Sequence, residues 1–262
     1  MKLLRFRPAD IQGSQWGWLD GDRIGLIEGS PFGTFRRRDA AMGLDEVALL
    51  PPVAPGKVIC VGRNYAAHAE EHAAEVPELP LIFLKPPSSV IAAGEPILIP
   101  PQSQRVEHEA ELAIVISQAG RWLSSKEAKQ HILGFTAAND VTARDLQRAD
   151  GQWTRGKGFD TFCPLGPWIE TEFDPADAMV TCNVNGKMRQ MGSTRDMVFP
   201  SNQLIAFVSS VMTLEPGDVI LTGTPSGVGP LHPGDEVSVE IEGIGALTNP
   251  VKQDSTSPNQ TN

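Results

Sequence analysis

Residues 106–116 read VEHEAELAIVI, and the two halves of this stretch ask for different surroundings. The second half has the composition of a strand entering a core. The first half places Glu107, Glu109 and Glu111 at every second position. Alternate residues of a strand share a face and stand roughly 6–7 Å apart along it. One face therefore carries three carboxylates and continues as Ala113 and Val115. Stacked negative charge running into a core calls for a cation. A hard ion such as Mg²⁺ or Mn²⁺ takes a few carboxylate oxygens together with water or substrate oxygens, and it offsets charge that burial would otherwise penalise. The plainer alternative is an exposed strand end with solvated glutamates.

A third ligand stands further along. GFTAANDVTARD (134–145) reads as a strand-to-helix junction ending in Asp140, and its short AAND turn leaves room where ligands tend to gather. Taken alone, Asp140 reads better as a helix cap, a role also open to Thr142. With Glu109 and Glu111 it makes a three-carboxylate site with positions left for substrate. Glu107 sits one pair further out and is left outside the ligand set. His108 falls on the opposite face, where a structural or supporting role is expected.

Working outward, the first fifty residues read as short strands, KLLRFRP, QWGWLDG and RIGLIEG, with turns at Asp20-Gly21 and Glu28-Gly29. PPVAPG (51–56) marks a boundary between a small N-terminal β unit, 1–55, and a main unit, 56–251. Within the main unit KVICVG, PLIFLKP, PILIP and ELAIVI are strands, and NYAAHAEEHAAE, KEAKQHIL and TARDLQRAD have helical spacing. Asn185-Gly186 is a strong two-residue hairpin signal. SNQLIAFVSSVMTL reads as the longest helix, opened by a Ser cap. The polar tail, 252–262, is expected to be disordered. Alternation outweighs helical period, which predicts a mostly β α+β protein rather than a doubly wound sheet.

Composition narrows the function classes. The chain has 262 residues, 40% hydrophobic and 21% charged, with net charge −10 and a pI near 5.0. That balance argues against nucleic acid, which demands clustered Lys and Arg. The run Arg36-Arg37-Arg38 reads as a solvated loop. Three widely spaced cysteines, Cys60, Cys163 and Cys182, fit a reduced compartment. No stretch reaches the roughly 20 apolar residues of a membrane span, so a cytoplasmic protein is expected.

HAEEH (68–72) supports two readings beyond a plain polar helix face. As H-x-x-E-H it matches an inverted zinc-peptidase pattern, with His68 and His72 on zinc and Glu71 as base, but no further zinc ligand follows. Alternatively His68 and Glu71, at i and i+3, form a pair in which the carboxylate orients the imidazole as a general base. There is no G-x-S-x-G elbow. TGTPSGVGP (222–230) lacks the Lys and helix of a phosphate loop; it reads as a plain turn or as a loop whose backbone approaches a ligand.

In order, VGRNYAAHAEE, LIFLKPPSS, VEHEAELAIVI, GFTAANDVTARDLQ, WTRGKGFDTFCPLGP, VNGKMRQ, GDVILTGTPSGVG and IEGIGALTN resemble the fumarylacetoacetate hydrolase family. The branch resembled is the one of small proteins that includes acylpyruvate hydrolases, oxaloacetate decarboxylases and isomerase/decarboxylases. The resemblance runs from Lys57 to Val251 and implies that family's β-roll catalytic fold. It further implies one Mg²⁺ or Mn²⁺ per subunit on Glu109, Glu111 and Asp140, with Ca²⁺ able to replace it in crystals, and a homodimer. His68 and Glu71 then resemble a proton- or water-handling dyad on a segment that orders with substrate. Lys157 resembles a catalytic lysine, its flanking glycines bringing the backbone close. Arg63, Gln147 and Thr224 occupy substrate-facing positions, and Asn64 and Tyr65 shape the helix start. The implied chemistry is stabilisation of a 2-oxo acid enolate. The intact dyad leads to an expectation of C–C bond hydrolysis of acylpyruvates. The alternatives are isomerisation or decarboxylation of 2-hydroxyhepta-2,4-diene-1,7-dioate or 5-oxopent-3-ene-1,2,5-tricarboxylate type substrates, or decarboxylation of oxaloacetate.

Overall fold

The computed structural model describes residues 1–8, 13–71 and 73–255. Strands β1 (Lys2–Pro8), β2 (Gln15–Asp20), β3 (Arg23–Gly29), β4 (Phe35–Gly43) and β5 (Val47–Leu50) occupy the N-terminal part. Asp20 pairs with Arg23 across a two-residue loop whose Gly21 has φ +60°. This unit does not form a sheet of its own. Lys2 and Leu3 of β1 pair with Glu170 and Ile169 of the main sheet. The basic run proves to be strand rather than loop, because Arg36 and Arg37 pair with Glu28 and Ile27. It is solvated as expected, with Arg37 stacked 4.7 Å over Trp18 and Arg38 paired to Glu28.

The main part begins with β6 (Val58–Gly62), α1 (Ala66–Glu71), β7 (Leu81–Lys85), β8 (Val90–Ile91) and β9 (Ile97–Ile99). There follow β10 (Val106–His108), β11 (Ala110–Ile116), β12 (Ile132–Asn139), β13 (Thr142–Ala143), α2 (Arg144–Asp150) and α3 (Thr154–Lys157). The chain closes with β14 (Cys163–Glu170), β15 (Met179–Val184), β16 (Lys187–Ser193), α4 (Ser201–Val211), β17 (Val219–Leu221), β18 (Gly229–Pro230), β19 (Glu236–Ile241) and β20 (Gly245–Gln253). The large sheet runs β4-β3-β2-β1-β14-β12-β11-β17-β6-β7, and a second runs β16-β15-β19-β20-β9. The architecture is α+β and mostly β, as the alternation predicts. Asn185 and Gly186 both take left-handed φ, +53° and +72°, between the paired Val184 and Lys187, the geometry a two-residue hairpin needs.

β11 lies inside the large sheet with both faces covered, which is why its apolar run does not alternate. Leu112 and Ile114 pack with Val180, Val239 and Leu204 of the second sheet and α4. Ala113 and Val115 face the other way, onto Cys60, Leu165 and Val219. All seven residues of β11 are buried. Glu111 thus heads a fully enclosed face.

Several local expectations are corrected. KEAKQHIL contributes only a 3₁₀ turn, Ala128–His131, because Ile132 is already paired with Ile116; sheet pairing overrides helical propensity there. Neither Asp140 nor Thr142 caps α2, whose N-cap position is Ala143 with no side-chain cap bond. The Thr142 hydroxyl bonds Glu109 and the Asp140 carbonyl instead. Ser201 is the first residue of α4 and Pro200 takes the cap position. β20 carries Lys252 and Gln253, so the strand overlaps the start of the expected tail, while residues 256–262 lie outside the described residues. All three cysteines are buried and unpaired. Among the described residues no helix is long and apolar enough to cross a membrane.

Candidate active site

The pairing of β11 with β12 sets the acidic cluster. Ala110 faces Asn139 and Glu111 faces Ala138. Just beyond that register Glu109 forms its own clasp: its backbone N–H donates to Asn139 Oδ1 and its carbonyl accepts from Asp140 N–H, each at 2.9 Å. The strand breaks at Glu109, between β10 and β11. Glu109, Glu111 and Asp140 converge there, each offering a carboxylate oxygen, all within 4.8 Å of one another and all buried. The solvated-glutamate alternative is excluded by that burial.

Cationic side chains surround the cluster unevenly. The Lys157 ammonium donates to Glu109 Oε2 at 2.8 Å and to Asp140 Oδ2 at 2.6 Å. Lys85, fully buried, donates to Asp140 Oδ1 and to the Val141 carbonyl. Arg144 bonds Glu109 Oε1 through one nitrogen and Glu107 Oε2 through another, so Glu107 joins the network without joining the cluster. Burial would raise the Glu109 carboxyl, but Lys157 and Arg144 overcome it and hold this group far below the usual range. Glu111 goes the other way. Burial, then the neighbouring Asp140 and Glu109 charges, push it well up, and its own hydrogen bond comes from the Gly223 backbone N–H at 2.6 Å. Burial pulls the Lys157 ammonium down, and Asp140 and Glu109 more than offset it.

These residues fit a divalent cation. Three hard oxygens converge at one point, and one of the carboxylates has no cationic side chain bonded to it among the described residues. Oxygen donors at this spacing suit Mg²⁺ or Mn²⁺ rather than a soft metal.

A cleft of about 330 Å³ opens onto the cluster. Of the residues expected at the site, Arg63, His68, Glu109, Glu111, Asp140, Gln147, Lys157 and Thr224 line it, and Glu71 does not. α2 presents Arg144, Gln147 and Arg148 on one face at i, i+3 and i+4. α3 packs against α2 so closely that a Cβ on Gly156 would lie 2.8 Å from the Gln147 backbone nitrogen. A side chain there would force α3, and Lys157 with it, away from the carboxylates. Arg63 holds φ +57°, an uncommon conformation for a non-glycine residue, and lies 6.0 Å from the Trp153 ring.

The dyad is looser. His68 is buried, and its Nδ1 lies 3.6 Å from Glu71 Oε2, a charge-pairing rather than a hydrogen-bonding distance. Glu71 does not line the cleft; both its oxygens accept from Gly227 N–H, at 3.1 and 3.3 Å. Asn64 fixes the start of the segment, bonding Thr222 and Phe199. His72, on which the zinc-peptidase pattern depends, lies outside the described residues.

Sequence reasoning missed Lys85 and Arg144, the two counter-charges that accompany Lys157. Lys85 had one signal, a lysine closing the apolar run LIFL. Arg144 had another, its place four residues after Asp140.

Comparison with known proteins gives a consistent result. A family model described as fumarylacetoacetate (FAA) hydrolase C-terminal matches residues 57–252, and one described as Rv2993c-like, N-terminal matches residues 1–52. The crystal structure of a 5-carboxymethyl-2-hydroxymuconate delta-isomerase from Mycobacterium smegmatis is 46% identical. It covers 97% of this chain and 100% of its own, with TM-score 0.89. The human mitochondrial oxaloacetate tautomerase FAHD2A is 42% identical over 287 residues, covering 96% of this chain and 91% of its own. Maleylpyruvate hydrolase from Sphingobium sp. SYK-6, solved with manganese(II) and pyruvate, is 32% identical. It covers 97% and 99% of the two chains, with TM-score 0.79.

Proposed function

The chain belongs to the fumarylacetoacetate hydrolase family, whose members are enzymes, and from that premise we propose that it moves a proton on small 2-oxo acids, interconverting their keto and enol forms. The observation that carries this reading is the convergence of three buried carboxylates on the cleft that His68 also lines. Glu109, Glu111 and Asp140 would hold a divalent ion, Mg²⁺ or Mn²⁺, which would supply Lewis-acid stabilisation of negative charge at the 2-oxo oxygen. His68 takes the proton from carbon 3 as general base, and the C–H electron pair becomes the carbon 2–carbon 3 double bond. The proton then returns to oxygen, or in a conjugated substrate to a more distant carbon. Lys157 holds Glu109 and Asp140 in place and adds positive charge beside the oxygens. Gln147 and Thr224 fix the substrate's orientation.

The substrate we propose carries a second carboxylate. Arg63 and Arg148 both line the cleft, and neither is ion-paired among the described residues. The names of the isomerase and tautomerase relatives also denote acids with more than one carboxylate. Replacing Arg148 with Ala is expected to raise KM for oxaloacetate about tenfold, the cost of one hydrogen bond between charged groups, while KM for a monocarboxylic acylpyruvate stays as in the wild type. Equal losses on both substrates would exclude a distal-carboxylate role.

Hydrolysis of an acylpyruvate C–C bond, the sequence-based expectation, stands second. Its support is the Glu71 carboxylate beside His68 and the likeness to maleylpyruvate hydrolase. It also needs a water held for attack, and a Glu71 that does not line the cleft, 3.6 Å from the imidazole, favours simple proton transfer. The deciding experiment follows loss of oxaloacetate enol by ultraviolet absorbance, and acetylpyruvate cleavage in parallel, with Mn²⁺ present. Faster tautomerisation without cleavage supports the first reading, and cleavage supports the second. Turnover indifferent to chelator and to Glu109→Gln sinks both.

A further inference from the structure

The loop from Thr222 to Val228 touches both halves of the site through its backbone. Gly223 N–H donates to Glu111 Oε2 at 2.6 Å, and four residues on Gly227 N–H donates to Glu71. Between them Thr224 faces the cleft. Whatever fixes this loop therefore sets a proposed ion ligand and the partner of the proposed base together.

One side chain is placed to do so. Gln190, on β16 of the second sheet, is 1% exposed. Its Nε2 donates to Thr224 Oγ1 at 2.7 Å and to the Pro225 carbonyl at 2.8 Å. Its Oε1 accepts from Ala110 N–H at 3.0 Å and lies 2.9 Å from His108 Nδ1. The orientation is unambiguous, since Pro225 O can only accept and Ala110 N–H can only donate. His108 must then carry its hydrogen on Nδ1, facing Oε1. Both donors and the acceptor oxygen of the amide are used in a place closed to water. Thr224 Oγ1 passes its own hydrogen to the Ala110 carbonyl, closing a ring between the loop and the head of β11. Ala110 is flanked by Glu109 and Glu111. The strand beside Gln190 also receives the loop: a Cβ on Gly227, at φ +97°, would lie 2.2 Å from the Arg189 carbonyl.

We propose that Gln190 is a positioning residue that ties the 222–228 loop to the head of β11, so that Glu111 and Glu71 are oriented together. This rests on the roles assigned above to Glu111 and to the His68–Glu71 pair, but the contacts themselves do not. Its place on a hairpin of the other sheet lets the packing of the two sheets reach the site through this amide, beside the close approach of Gly227 to Arg189. Partners standing behind metal ligands contribute about 10–100-fold to metal affinity, which sets the size of effect to look for.

The test compares Gln190→Met, which keeps approximate shape but loses all polar contacts, and Gln190→Asn, which keeps the polar group but withdraws it by one methylene. Val239→Ala, in the same second sheet and away from the loop, is the control for general destabilisation. Amide hydrogen exchange at Gly223 and Gly227 is read by NMR, and Mn²⁺ affinity by titration on the protein stripped of metal. For Gln190→Met both amides are expected to exchange at least about tenfold faster than in Val239→Ala, with Mn²⁺ bound about tenfold more weakly. kcat should fall more than KM rises, and Gln190→Asn should lie between. Exchange and Mn²⁺ affinity matching Val239→Ala overturn the proposal. If Gln190→Met does not fold, unchanged exchange in Gln190→Asn overturns it equally. Should the wild type bind no Mn²⁺ and His68→Ala keep full turnover, the functional reading falls, and the exchange rates alone still decide what Gln190 does.

Discussion

Glu109, Glu111 and Asp140 stand on strand ends enclosed by packed sheets, whereas His68 and Glu71 stand on a six-residue helix whose other side meets solvent. On the first wall the bonds to Lys85, Lys157 and Gly223 run from 2.5 to 2.8 Å and nothing is exposed. On the second, the dyad separation is 3.6 Å and Glu71 accepts from the Gly227 backbone N–H at 3.1–3.3 Å. The contrast fits the two tasks proposed for the walls. Electrostatic stabilisation works by groups already in place when charge develops, so reorganisation there costs rate directly. A general base needs only to come within reach of its proton, and its bonds often tighten when substrate is bound. The first wall should therefore dominate the energetics. Glu109→Gln or Asp140→Asn is expected to lower kcat on the order of 10³-fold, the scale of losing a preorganised charge contact, and to weaken Mn²⁺ binding in parallel. Turnover and Mn²⁺ titration measure both. A loss smaller than that from changing His68 would reverse the ranking of the walls.

His68→Ala sharpens the same contrast from the other side. Its expected cost is on the order of 10²-fold in kcat, the contribution of one general base, with Mn²⁺ affinity unchanged because His68 is outside the ligand set. A variant that loses metal as well would mean that the two walls are one unit.

Lys85 tests whether the first wall is built for a cation. Its ammonium is the fully buried counter-charge on Asp140 Oδ1. Lys85→Met leaves that oxygen without it, a change that costs about 3 kcal/mol when a buried pair is broken. Saturating Mn²⁺ should restore more melting temperature to this variant than to the wild type, since the bound ion replaces the missing charge. Equal shifts in the two proteins would show that Lys85 stabilises the fold without reference to the site.

Lys85 also marks where the sequence stops being legible. Glu109 and Glu111 could be read because strand geometry turns an i, i+2 spacing into a shared face, and Asp140 because it closes a strand. The strand pattern itself was readable wherever alternation or an apolar run of strand length was unbroken. Counter-charges follow no such local rule. Lys85 meets Asp140 across 55 residues and Arg144 meets Glu109 across 35, so only tertiary pairing brings them together. The same limit explains the misread caps. Thr142 looked like an N-cap because its residue type favours that role, but its hydroxyl is taken by Glu109 and the Asp140 carbonyl, partners set by sheet register. KEAKQHIL had helical spacing and lost it to the pairing of Ile132 with Ile116.

The smallest effect belongs to Glu71, and it separates the two reactions most cleanly. If His68 alone exchanges the proton, the Glu71 carboxylate acts only by biasing the imidazole from 3.6 Å. An amide at this position keeps an oxygen for Gly227 N–H, so Glu71→Gln should preserve the loop contact while removing the charge. Tautomerisation of oxaloacetate should then fall by about threefold to tenfold, well below the general-base contribution. Hydrolysis depends on the carboxylate more heavily, because a water must be deprotonated as it attacks and the imidazolium so formed needs a counter-charge. A loss on the order of 10²-fold in acetylpyruvate cleavage, beside a small loss in tautomerisation, would place Glu71 in water activation. A small loss in both would leave the second wall as a single histidine on a short helix, with Glu71 serving mainly to dock that helix onto Gly227.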